Sequence, residues 1–151
     1  MRGPYDPWAD VEARPDVDLI QDDGLPRGDG WWLPWLRLIV VRRSLHPTHS
    51  RCVLAHELVH VDHDDVQTSG QGPDGDRLAR RQETRADREA ARRLIAIDDL
   101  VAALTAHPGD PRGVAVELDV TGDVLRTRLE NLDASEEIAL CGVLADIEHA
   151  A

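Results

Sequence analysis

The chain has 151 residues, enough for one domain with a real core. It is 42% hydrophobic and 30% charged, as folded soluble domains are, and its formal net charge of −12 argues against a general phosphate-binding surface. With no Phe, one Tyr and four Trp, the core has to be built mainly from Leu, Val, Ile and Ala. Every basic residue is Arg. The two cysteines, Cys52 and Cys141, lie far apart and form no Cys-x-x-Cys pair, which argues against a Cys-based structural zinc site. The start, Met1 to Asp6, has no apolar signal region, and no run approaches the roughly 18 apolar residues of a membrane span. We therefore expect a cytoplasmic protein that does not engage a membrane.

Residues 1–16 are rich in Pro and Asp, with a short helix expected over Trp8 to Glu12. Val17 to Ile20 reads as a strand, and Asp22-Asp23-Gly24 and Pro26 to Gly30 read as turns. Trp31 to Val41 is the densest apolar run; Pro34 demotes its first half to an edge or irregular strand, and Leu36 to Val41 is the expected regular strand. His46 and His49, in the loop that follows, read as surface histidines, as does His63 further on.

A helix is then expected, with Thr48 placed to cap its start and Val53, Leu54, Leu58 and Val59 facing a core. It carries His56-Glu57-x-x-His60. Residues four apart on a helix share a face, so His56 and His60 can grip one metal ion. Glu57, beside His56, can reach a water on that metal and act as general base. Cys52 lies one turn before His56 on the same face, but a small buried thiol is the better reading. Residues 64–78 are polar and Gly-rich and read as a loop, a plain connector rather than a lid.

A second helix is expected from about Leu78 to Leu94. Glu83 and Asp87 are four apart and share a face, with Ala86, Ala90 and Leu94 near it for close packing. A catalytic zinc site needs three protein ligands and one open position, and Glu83 can supply the third ligand. Asp87 can accept the free ring N–H of a zinc-bound histidine, expected to be His56, and fix its tautomer. The arginines along this helix read as a solvated face. Beyond it, Asp98 is expected to cap a helix over Leu100 to Ala106, ended by His107-Pro108-Gly109. Two short helices follow, Pro111 to Leu118 and Thr121 to Leu132. The second faintly suggests a helix-turn-helix, but the acidic balance of residues 111–132 speaks against direct nucleic-acid binding. Asp133 with Glu136 makes a capping box for a last helix, whose Ile138, Cys141, Leu144, Ala145 and Ile147 are expected to pack on the rest or on a partner.

The order His-Glu-x-x-His, then Glu-x-x-x-Asp on a later helix, is the gluzincin arrangement. Ala55 to His60, with Glu83-x-x-Ala86-Asp87 and the small or apolar run after it, resembles the ImmA/IrrE family of metallopeptidases over about residues 5–132. One departure is Leu94-Ile95-Ala96-Ile97-Asp98, which lacks the proline that members often carry there. A metzincin would need a glycine and a third histidine that do not follow His60 here. The resemblance implies an α+β, zincin-like domain: a short antiparallel or mixed sheet, with an edge strand beside the metal, packed on the two ligand helices. Residues 1–107 would form this core, and residues 108–151 a helical region packed on it as one unit.

The resemblance also implies a zinc endopeptidase with a narrow protein target, such as a repressor of a phage or mobile element. Zn²⁺ would be held by His56, His60 and Glu83, with Glu57 as base and Asp87 behind His56. Tyr5, His46, His107 or an arginine could stabilise the oxyanion. The alternative is a metal-bearing regulatory module that does not cleave. A third reading has a histidine, such as His63, as third ligand in place of Glu83.

Overall fold

The computed structural model describes residues 3–150 and the side chains of residues 3–145. It is α+β, with a three-stranded sheet and seven helices among the described residues. Helix α1 (Pro7–Glu12) is capped by Asp6, whose carboxylate accepts the Trp8 amide, with Pro7 at the first helical position. Strands β1 (Asp18–Gln21), β2 (Gly30–Leu33) and β3 (Leu38–Val41) form a mixed sheet in the order β1-β3-β2. β1 runs parallel to β3 and β2 antiparallel to it. β2 is therefore an edge strand, as Pro34 leads one to expect.

The strand expected over Leu36 to Val41 begins two residues later. Pro34–Leu36 form a 3-10 turn, and Arg37 adopts a left-handed conformation (φ 50°) that turns the chain back into β3. Arg37 is held there by Asp16 (2.5 Å) and lies over the Trp32 ring, 5.1 Å from its centroid.

Helix α2 (Pro47–Asp62) is the hub of the molecule. Its Leu54, Leu58 and Val61 pack under the sheet with Val11, Val17, Trp32, Ile39 and Val41. Its Cys52, Ala55 and Val59 face a second cluster built from the later helices, including Ala86, Ala90, Leu94, Leu100, Val114 and Leu125. Cys52 is thus a core residue turned away from the histidine pair. The start of α2 is capped by His46, whose Nδ1 accepts the Thr48 amide, with Pro47 at the first position. Thr48, the expected cap, instead donates its hydroxyl to Asp119 (2.5 Å).

Helix α3 (Gly72–Leu94) begins about six residues before the expected start. Gly72-Pro73-Asp74-Gly75 resembles a turn, yet Pro73 sits at the first turn of the helix and Asp74 complements its dipole. A Cβ at position 75 would lie 2.5 Å from the Thr68 carbonyl oxygen, so glycine lets this turn seat on the preceding loop. Helix α4 (Ile97–Ala106) starts one residue before Asp98, which serves in its first turn rather than as the cap. α5 (Pro111–Glu117) and α6 (Gly122–Glu130) follow, α6 capped by Thr121.

The inner face of α6 carries Leu125 and the buried Arg128, which donates to the Ile95 carbonyl and to both oxygens of Glu136. The capping box of α7 (Ala134–Ala150) is present: Asp133 accepts the Glu136 amide, and Glu136 accepts the Asp133 amide. Of the two surfaces expected to cover Ile138, Cys141 and Leu144, the rest of the chain or a partner, the chain itself does not supply the first. The Arg128 pair draws the Glu136 side of α7 inward, so Leu140, one turn on, is buried while Ile138, Cys141 and Leu144 are exposed. The Ile147 side chain lies outside the described residues.

Candidate metal centre

The two faces of α2 described above leave a third, carrying His56, Glu57 and His60, turned toward a cleft between β2 and α3. Both imidazoles present Nε2 to one point, 3.0 Å apart. Glu83 on α3 completes the cluster, its Oε2 3.1 Å from His56 Nε2 and its Oε1 3.3 Å from His60 Nε2. These three residues form a group that can hold a metal ion.

The far nitrogens are also held. His56 Nδ1 lies 2.9 Å from Asp87 Oδ1, the pairing expected from spacing. His60 Nδ1 lies 2.8 Å from Asp65 Oδ2, a partner that sequence reasoning missed. Asp65 reaches it because α2 ends in a Schellman turn: Asp64 is left-handed (φ 49°), its amide donates to Val61 and the Asp65 amide donates to His60. The chain reverses, and the Asp65 side chain folds back beneath the histidine. Arg85 donates to the same carboxylate (2.6 Å), so Asp65 links α2 and α3. The signal was present in Asp64-Asp65 directly after the helix, since Asp tolerates the left-handed conformation better than most residues.

Glu57 is 6% exposed and lies under the edge strand. A Cβ on Gly30 would stand 2.8 Å from Glu57 Oε1 and 2.5 Å from Val53 Cγ1, so only glycine lets β2 pass this close. The Trp32 amide faces the Glu57 carboxylate. Burial raises the Glu57 pKa, and the neighbouring imidazoles only partly offset that. Burial also opposes a charge on His56, but Asp87 and Glu83 outweigh it and lift its pKa to about 10. His60 is likewise raised, with Glu83 and Asp65 overcoming burial. Contacts with the two imidazoles lower the Glu83 pKa. The pocket is a nest of carboxylates that favours positive charge at its centre, whether a proton or a metal ion.

Residues 19–130 match the peptidase family described as IrrE N-terminal-like domain. The chain belongs to that family. The IrrE-like stretch holds the whole cluster and the edge strand, and excludes α1 and α7; its first residue lies later than the resemblance suggests. No curated protein matches the sequence. A Mycobacterium tuberculosis transcriptional regulator has a similar fold, with a TM-score of 0.63, 19% identity and coverage of 82% of this chain. The match spans 39% of that regulator's length.

Of the groups weighed for oxyanion stabilisation, three stand away from the IrrE-like cleft. The Tyr5 hydroxyl donates to Asp10 (2.6 Å), His46 caps α2, and His107 pairs with Glu117 (2.5 Å). His63, the alternative ligand, pairs with Glu89. Arg27 and Arg80 line the cleft, and neither forms an ion pair among the described residues.

Proposed function

We propose that this chain is a zinc-dependent endopeptidase of zincin-like build, with His56, His60 and Glu83 as ligands and Glu57 as general base. The observation that carries the reading is the convergence of three donor atoms, with both remote imidazole nitrogens held by carboxylates. Tetrahedral zinc with donors at about 2.0–2.1 Å sets those donors about 3.3–3.4 Å apart. The atoms here stand 3.0–3.3 Å apart, so the set fits with little adjustment. Asp87 and Asp65 fix which nitrogen each imidazole offers and raise its basicity.

Bound zinc supplies a Lewis acid and lowers the pKa of a water. The chain's own groups do the rest. A peptide adding to the free edge of β2 brings its carbonyl to the cluster beside Glu57. Glu57 takes the water's proton on its carboxylate as the oxygen attacks the carbonyl carbon. The carboxyl so formed delivers that proton to the leaving amine nitrogen as the C–N bond breaks. Arg80, on α3 one turn before Glu83, and Arg27 are the cleft's unpaired cations and are available to the developing oxyanion.

The family resemblance points to a regulatory protein as substrate, such as a repressor of a phage or mobile element. The kinship of fold with a transcriptional regulator agrees with work among regulators. Among the described residues no helix is long and apolar enough to cross a membrane. The test is co-expression with the regulators encoded beside the gene, reading their intact mass. Wild type should fragment one of them and Glu57→Gln should not. Equal biological effect from Glu57→Gln would favour the non-cleaving module.

A further inference from the structure

Beyond Glu57 the cleft continues along β2 to a wall that the chemistry above does not use. Leu33 ends β2, Trp35 follows on the 3-10 turn, and Val66, on the reversal after α2, lines the same cleft. Trp35 is 68% exposed and Val66 54% exposed. In a chain with 3% aromatic residues, an indole left in water at the mouth of a cleft points to a partner that covers it. The wall is rigid. Pro34 and the left-handed Arg37 fix the turn that presents Trp35. Arg37 also pairs with Asp64 (3.4 Å), which ties this turn to the segment carrying Val66. Val66 is one residue beyond the Asp65 that holds His60, so the wall is registered to the metal cluster.

We propose that Leu33, Trp35 and Val66 form a specificity subsite for a large aliphatic or aromatic side chain of the substrate peptide, on the N-terminal side of the bond cleaved. The inference rests on the peptidase reading. Orientation follows from the edge strand. β2 runs from Gly30, against Glu57, toward Leu33 and Trp35. A peptide added antiparallel, the slightly stronger ladder, runs the other way. It passes Trp35 first and reaches Glu57 afterwards.

The test uses the chain loaded with zinc and three chelating probes: acetyl-leucyl-glycyl-glycine hydroxamate, whose leucine lies two residues before the chelating end and so toward the wall, its alanine counterpart, and acetohydroxamate as a reference without a side chain. Dissociation constants are read by calorimetry. The leucine probe should bind about tenfold more tightly than the alanine probe, from partial burial of its extra carbons. In Trp35→Ala and in Val66→Ser, both substitutions of exposed residues, that ratio should fall to about threefold or less. Tight binding of all probes without discrimination, or a ratio unchanged in both variants, overturns the subsite and leaves the peptidase reading standing. No binding of any probe to a chain shown to hold its zinc overturns both.

Discussion

Asp65→Ala is the perturbation that separates a built metal site from a chance cluster. The Asp65 carboxylate is 9% exposed, sits 2.8 Å from His60 Nδ1 and accepts from Arg85. Removing it strands the His60 ring nitrogen and leaves Arg85 without its ion-pair partner. Losing a carboxylate behind a ligand histidine lowers metal affinity by roughly 10–100-fold, or about 1.4–2.7 kcal/mol. The unmatched donors add about 1–3 kcal/mol of folding cost. Asp65→Asn keeps an oxygen that accepts from His60 and should recover part of the loss. The assay is competitive zinc titration against a chelator, with thermal unfolding of the metal-free protein to separate the two effects. If Asp65→Ala folds and binds zinc as tightly as wild type, Asp65 does not act on the metal through His60 and the assignment fails.

Asp87→Ala should also weaken zinc binding, but less than Asp65→Ala, because the Asp87 side chain is 60% exposed; titration in parallel gives the order, and the reverse order would mean burial is not what strengthens these bonds. Gly30→Ala forces a methyl against Val53 and Glu57, so it should cost roughly 1–3 kcal/mol in chemical denaturation and displace β2 from the base. The Arg128 contacts hold the Glu136 pKa below its ordinary 4.5. A lowered folded-state pKa gives stability that is present above the unfolded value and lost as pH falls through the folded one. The thermal midpoint should therefore fall as pH drops below 4.5, more steeply in wild type than in Glu136→Gln; parallel slopes would remove this pair from the acid response.

The parts of the site legible in the sequence are those set by local periodicity. His56 with His60, and Glu83 with Asp87, follow from helix geometry alone, and the Asp133–Glu136 box from capping chemistry. Asp65 is not legible from spacing because its place depends on one left-handed residue, Asp64, that reverses the chain. Gly72 to Gly75 reads as loop because Gly and Pro serve both turns and helix starts, and the close seat of this turn on Thr68 is not local information. Thr48 reads locally as a cap because the Asp119 carboxylate that accepts from its hydroxyl lies 71 residues away. Strand order is likewise nonlocal: pairing with β3 is what leaves β2 free beside Glu57.

Zinc content tests the central claim most directly. Purified wild type, and a Glu57→Gln variant that keeps all three donors, should each hold about one zinc per chain by elemental analysis, while His56→Ala, His60→Ala and Glu83→Ala should lose it. Wild type that takes up no zinc when supplied with it at neutral pH, or that keeps full occupancy without Glu83, would contradict the account.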